Sequence, residues 1–326
     1  MLNRNATAFM RRGMCLSRIA CSFCVLLVGA LPSISPLAHA QAKPPVRSQH
    51  EVGPVPSEFS LSGTWVPYFH EDLLERGNGP ELDNYVGLPI TDGARKMALS
   101  WDPSRMTVEE HQCQVHVSPY MNRSPSRYAF SEIRDPETQL VIALQLYIEN
   151  YQQTRTIWMD GRAHPPDYAP HTWMGFSTGK WEGNILTVYT THIKQGFIRR
   201  NGIAESDRAT MVEHYIRYGD IMTHIVIITD PVYLTEPFVR TNDFALAQYT
   251  PGSWVYSCEP VEELTGEAKN RVPFYLPGEN PFVDEFAKKR GIPLAAAMGG
   301  AETMYPEYQL KLEELMKSQT QTPAKK

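Results

Sequence analysis

The chain predicts a mainly β fold, a single barrel or curved β-sandwich with short helices and a partly helical C-terminal extension. Three observations carry this reading. Residues 138–147 alternate with the period of a strand, Leu140, Ile142, Leu144 and Leu146 on one side and Gln139, Val141, Ala143, Gln145 and Tyr147 on the other. Residues 208–218 and 221–229 are joined by Gly219-Asp220, a good two-residue type II′ hairpin loop with glycine first. Residues 173–181 and 184–192 form a second hairpin around Glu182-Gly183.

The N-terminus is set aside before any fold reasoning. Arg4, Arg11, Arg12 and Arg18 form a positive region without an acid, an apolar stretch spans about 19–31, and Ala38-His39-Ala40 offers a cleavage site before Gln41. This is the pattern of a signal peptide over residues 1–40. The apolar stretch is shorter than the roughly 20 residues that cross a bilayer. The expected mature protein is therefore periplasmic or secreted, with no membrane span. Arg11-Arg12 loosely resembles a twin-arginine signal, although adjacent arginines are also ordinary in such regions.

Losing those four arginines takes the formal net charge from −5 to −9. Neutralising phosphates requires clustered Lys and Arg, so an acidic chain without a basic block argues against nucleic acid. Three of the five cysteines leave with the signal, and Cys113 and Cys258 remain. In an oxidising compartment such a pair reads most simply as a disulfide. It would close a loop of about 145 residues and stabilise by about 4–5 kcal/mol in the chain-entropy model. Two buried thiols or a metal pair are the alternatives.

Residues 41–58 are Pro-rich and aperiodic, the composition of a disordered lead-in. The β-rich domain is expected over 59–258 and the C-terminal extension over 259–326. The run Leu61-Ser62-Gly63-Thr64-Trp65-Val66 opens with a Gly-x-Trp that resembles the first strand of lipocalins, so the barrel expected is lipocalin-like. Thr91 should cap a short helix that stops before Asp102-Pro103. In the extension, short helices are expected within 280–291 and 307–318.

The hairpin turns set registers. Around Gly219-Asp220, Tyr218 should pair with Ile221, Arg217 with Met222, Tyr215 with His224 and Glu213 with Val226. One face then carries Glu213, Tyr215, Arg217, Met222 and His224, a constellation able to orient a carbonyl or hydroxyl and move a proton. The other face, Val212, His214, Ile216, Ile225 and Ile227, reads as core. An internal Glu213–Arg217 salt bridge is the structural alternative for the polar face. In the second hairpin, Trp173, Gly175, Ser177, Gly179 and Trp181 should oppose His192, Thr190, Val188 and Leu186. The small residues between two tryptophans leave space for a packed neighbour, the favoured reading, or for a ligand.

His164, Asp167, Tyr168 and His171 occupy a Pro-rich loop beside that hairpin. They are candidate acid/base groups at a pocket mouth; otherwise Asp160-Gly161 is a hairpin turn and the prolines stiffen a connection. Trp173, Ser177, Trp181, His192 and Tyr215 are the candidate ligand-binding residues. No histidine pair has tight metal spacing, and the densest group, His111-x-Cys113-x-x-His116, conflicts with the disulfide. No metal site or cofactor is therefore assigned, and no Gly-x-Ser-x-Gly elbow, P-loop or dinucleotide fingerprint is found.

Met159-Asp160-Gly161-Arg162-x-His164-Pro165, Trp173-Met174-Gly175-x-Ser177-x-Gly179-x-Trp181-Glu182-Gly183 and Val212-Glu213 with Arg217 resemble a large family of exported bacterial proteins of unassigned function. The resemblance spans about 61–258 and takes in Trp101-Asp102-Pro103, Cys113, Asp230-Pro231 and Cys258-Glu259. It implies a β-rich exported domain and no established reaction. The chain departs from the family pattern at Phe176, where histidine is expected, and at Glu205-Ser206-Asp207, where a His-Ser-Glu run is frequent.

The functional expectation is a barrel that binds a small, mostly apolar or aromatic molecule and transforms it by cofactor-independent acid/base chemistry of the isomerase, hydratase or lyase type. A non-catalytic protein that docks a partner through its C-terminal extension is the alternative. A metal-dependent enzyme is the weaker one.

Overall fold

The computed structural model describes residues 60–68, 81, 84–104, 115–123, 126–149, 152–199, 201–247 and 273–321, all within the compact unit Pro44–Lys326. The signal peptide, the lead-in, Cys113 and Cys258 lie outside the described residues.

Nine strands close into a barrel. They are β1 (Gly63–Pro67), β2 (Tyr128–Arg134), β3 (Val141–Ile148), β4 (Gln153–Trp158), β5 (Phe176–Glu182), β6 (Ile185–Thr191), β9 (Thr210–Tyr218), β10 (Ile221–Thr229) and β11 (Phe238–Leu246). Their order around the barrel is β1-β11-β10-β9-β6-β5-β4-β3-β2. Two short strands, β7 (Gly196–Phe197) and β8 (Ala204–Glu205), form a separate ribbon. Closure pairs the strands that would otherwise be edges, so their backbone groups find partners within the barrel.

The first hairpin has the expected register, including Tyr218↔Ile221, Arg217↔Met222, Tyr215↔His224 and Glu213↔Val226. Gly219 has φ +59° while Asp220 keeps a negative φ, as a type II′ turn requires. The faces carry different burial from that expected. Met211, Glu213, Tyr215, Met222, His224 and Val226 are buried inside, and Val212, His214, Ile216, Ile225 and Ile227 form the half-exposed outer wall. The polar face is thus the interior one. Charged residues point inward because partners elsewhere in the barrel satisfy them.

The second hairpin keeps the expected pairs Ser177↔Thr190, Gly179↔Val188 and Trp181↔Leu186. Its turn is Gly183-Asn184 rather than Glu182-Gly183, and Trp173 and Gly175 precede β5. Gly175, at φ +71°, lies against Thr190, Thr191 and Ile193. A Cβ on Gly179 would fall 2.6 Å from the Met159 sulfur and 2.9 Å from Ile157 Cγ2. The space at this glycine is filled by the chain itself.

In β3 the alternation holds at Leu144 and Leu146, which are buried. A register shift opposite Ile133/Arg134 skips Ile142 and turns Val141 inward. Leu140 and Ile142 are consequently only half-buried. Trp65 of β1 is fully buried and donates its indole N–H to the Leu61 carbonyl at 2.8 Å.

Helix α1 (Asp92–Leu99) begins as expected, with Thr91 Oγ1 accepting from the Ala94 N–H at 3.3 Å. A second helix, α2 (Ser118–Met121), is buried along its length and followed by buried Asn122 and Arg123. Arg240 Nη2 of β11 donates to the Pro119 carbonyl at 2.8 Å, and Asn242 Nδ2 to the Asn122 carbonyl at 3.1 Å. Those inward-facing β11 side chains hold the α2 segment against the barrel interior.

The C-terminal extension contains α3 (Val283–Arg290), α4 (Leu294–Ala297), a 3-10 turn (Ala301–Met304) and α5 (Tyr308–Gln321). It packs on its own body: the Tyr85 N–H donates to the Ala297 carbonyl at 3.3 Å and the Gly87 N–H to Thr303 Oγ1 at 2.7 Å. Helix α5 leaves Leu310 and Met316 exposed.

Because Gly179 is packed on both sides, Gly179→Ala should lose about 1–3 kcal/mol by overpacking. Urea unfolding measures it, and a loss within about 0.5 kcal/mol would show that Met159 and Ile157 yield.

Candidate functional site

The barrel interior is organised around one carboxylate. Glu213 is fully buried and ion-paired with Arg155 of β4, itself 2% exposed. Its Oε1 accepts from Asn122 Nδ2 at 3.0 Å, Arg155 Nη1 at 3.1 Å, the Tyr215 hydroxyl at 2.8 Å and His224 Nε2 at 3.0 Å. Arg155 Nη2 bonds to Oε2. Arg155 also reaches Ser177 Oγ at 3.0 Å, Ser118 Oγ at 3.2 Å and Thr190 Oγ1 at 3.3 Å. One guanidinium therefore ties β4 to β5, β6, β9 and α2.

Electrostatics follow from this geometry. Burial alone would raise the Glu213 pKa, but the Arg155 cation and the donors around it hold it at about 2. Burial opposes the Arg155 charge as well, and the Glu213 carboxylate more than offsets it. His224, also fully buried, has its pKa lowered by burial, which outweighs the pull of Glu213. It is a neutral imidazole, so its contact with Glu213 is a hydrogen bond rather than an ion pair. A carboxylate can only accept, so the Nε2–H donates and Nδ1 carries the lone pair. That Nδ1 is buried and has no hydrogen-bond partner among the described residues. The ring stacks on Tyr215 at 4.2 Å and lies 5.9 Å from Tyr128 and 6.4 Å from Phe244.

Of the residues singled out in sequence, Ser177, Glu213, Tyr215 and His224 meet here. Arg217 does not. It donates to the Gly219 and Ser60 carbonyls and lies over Trp65, so the expected Glu213–Arg217 pair is replaced by Glu213–Arg155. Arg155, Asn122, Ser118 and Thr190 were missed. Arg155 had one legible sign, its shared phase with Ile157 on an alternating strand; Asn122 lies 91 residues from Glu213 and had none.

His164, His171 and His192 occupy a different place. Residues 159–175 link β4 to β5, which run parallel, so Asp160-Gly161 is not a hairpin turn. The middle of this connection, around His164 and Pro166, lies across the outer face of the β5–β6 hairpin, the face opposite Ser177 and Thr190, while Met159 and Met174 pack on the core side. His164 bonds Thr178 Oγ1 at 2.9 Å and Thr191 Oγ1 at 2.7 Å, and His192 bonds Thr191 Oγ1 at 2.7 Å and the Pro166 carbonyl at 3.0 Å. The carbonyl can only accept, and that sets the direction of the chain when both rings are neutral. Thr178 donates to His164, His164 to Thr191, Thr191 to His192, and His192 to Pro166. Burial, then the nearby His192, lowers the His164 pKa. His192 adopts φ +57°, and His171 Nδ1 donates to the Ile193 carbonyl at 2.9 Å. Asp167 and Tyr168 are exposed, and Trp173 and Trp181 are half-buried against the core. The two sequence constellations therefore lie on opposite faces of one wall.

Among the described residues, no group of three or more His, Cys, Asp or Glu side chains is placed to hold a metal ion. No protein-family model, curated protein or solved structure matches the chain.

One further acid stands apart. Glu205 of β8 is fully buried, and neither carboxyl oxygen has a hydrogen-bond partner among the described residues. Burial, then the Asp230 carboxylate, pushes its pKa well above the usual value, which favours the protonated form.

Arg155→Met strands a buried carboxylate and should cost about 3–5 kcal/mol in urea unfolding, part of it recovered by adding Glu213→Gln. No recovery would show that Arg155 acts by packing alone. The pH dependence has two opposed parts. His224 and Glu213 have depressed pKa values, so their contributions are lost as pH falls, first below 6.5 for His224 and then between 4.5 and about 2 for Glu213. Glu205 has a raised pKa, so its contribution is present below 4.5 and declines as pH rises above it. Glu205→Gln should flatten that decline in a series of thermal melts, and an unchanged slope would place the proton elsewhere.

Proposed function

We propose that this chain is an exported barrel protein that binds a small, mostly apolar molecule beside His224 and acts on it by cofactor-independent acid/base chemistry. The observation that carries the reading is the His224 Nδ1 lone pair, which no donor among the described residues reaches. A buried acceptor without a donor costs about 1–3 kcal/mol, and a ligand hydroxyl or N–H would relieve that cost. The Glu213 carboxylate fixes the tautomer and steadies the imidazolium that forms when Nδ1 takes a proton.

The surroundings support an aromatic or apolar ligand. Tyr215, Tyr128 and Phe244 supply ring faces around His224. Arg155, with its donors directed at Glu213, Ser177, Ser118 and Thr190, is assigned to holding the carboxylate rather than to substrate. In this reading Glu213 and Arg155 are positioning residues and His224 is the base. Reactions that begin by removing a proton from a C–H or O–H fit this set, which keeps isomerisation, hydration and elimination as the reaction types.

The test uses protein purified from its export compartment without added ligand. Native mass spectrometry, repeated after mild denaturation, should release an organic molecule from wild type. His224→Gln keeps a donor for Glu213 but removes the base. It should retain the fold, bind the molecule more weakly and fail to exchange its acidic hydrogen in D2O. A bare polypeptide mass, with no thermal shift from hydroxylated aromatic compounds, would sink the proposal. Equal exchange by wild type and variant would leave binding without His224 catalysis.

A further inference from the structure

A cleft on the rim of the molecule is separate from the barrel interior and is built where the C-terminal extension docks. It has a volume of about 280 Å³ and is walled by Pro89, Glu236, Phe238, Val239, Met304 and Tyr305, among others. That volume lies at the small end for ligand sites, so it suits a compact molecule rather than a protein surface.

The cleft depends on the docked extension. Gly87 has φ +71°, and a Cβ there would fall 2.9 Å from the Met304 sulfur, so glycine is what lets Met304 close on this loop. The bond from the Gly87 N–H to Thr303 Oγ1 fixes the approach at 2.7 Å. Val239 and Met304 nevertheless remain largely exposed, at 55% and 69%. Apolar surface is thus available in an open recess.

Charge then selects the occupant. Glu236 is the single charged residue among those lining the cleft. Its Oε1 accepts from the Tyr305 hydroxyl at 3.0 Å, which orients the carboxylate and leaves Oε2 for a further donor. An anion would be repelled, and a wholly apolar molecule would strip water from the carboxylate without replacing it. A cation meets Glu236 directly and also finds the Tyr305 ring, while Phe238, which already carries the Arg240 guanidinium 5.6 Å from its centroid, supplies apolar contact alone.

We propose that this cleft binds a small primary ammonium compound with an apolar body, its charge on Glu236 and its body against Phe238, Val239 and Met304. The contacts are partly exposed, so the affinity is modest, with a Kd of about 1 mM.

The test is calorimetric or NMR titration of the full chain with hexylammonium, and with hexanol as the uncharged match. Hexylammonium should saturate wild type and bind more tightly than hexanol. Glu236→Gln should weaken hexylammonium about fivefold and leave hexanol unchanged. Val239→Arg, at an exposed position, places a cation in the cleft and should abolish hexylammonium binding while the thermal melt stays the same. Equal binding of the two probes, an unchanged affinity in Glu236→Gln, or no saturation at about ten times the expected Kd would each overturn the proposal.

Discussion

The barrel depends on the Arg155–Glu213 ion pair because of where it lies. Strands β4 and β5 run parallel and meet only at Ile157↔Ser177 and Trp158↔Thr178, whereas β9 and β10 pair along their full length. A seam this short contributes few backbone hydrogen bonds. Arg155 projects from β4 just beside it and bonds to side chains on β5, β6 and β9. Side-chain bonds there do what the backbone ladder does elsewhere. The desolvation of both charges is offset only because nearly every donor and acceptor around them is satisfied. His224 Nδ1 has no hydrogen-bond partner among the described residues, and that is why it attracts a functional reading.

The same seam explains the second constellation. A parallel connection cannot be a tight turn, so residues 159–175 form a long crossover whose middle lies on the outer face of the wall. The His164–Thr191–His192 chain fastens that crossing to β5 and β6. Thr190 and Thr191 are neighbours in sequence with opposite duties, one bonded to Arg155 inside and the other to two histidines outside. The histidines expected at a pocket mouth thus act in part as fasteners, because the strand pleat sends alternate side chains to opposite faces.

Glu205 shows the opposite balance. Among the described residues no donor reaches its carboxyl oxygens, and burial with the Asp230 carboxylate raises its pKa. Glu213, equally buried, stays ionised because Arg155 is within reach. Two glutamates of the same burial therefore have pKa values shifted in opposite directions by their neighbours.

Local signals along the chain suffice for the β class, the Thr91 helix cap, the pairing of both hairpins and the register around Gly219-Asp220. These rest on turn chemistry and period-two alternation, which are local. Only the tertiary structure decided which face of β9 and β10 was interior, that Arg155 rather than Arg217 pairs with Glu213, and that Asn122 joins them. Alternation separates two faces but does not say which one closure will bury. A charged residue reads as outward until its partner is found, and the partner of Glu213 lies 58 residues away on a strand that only barrel closure brings near.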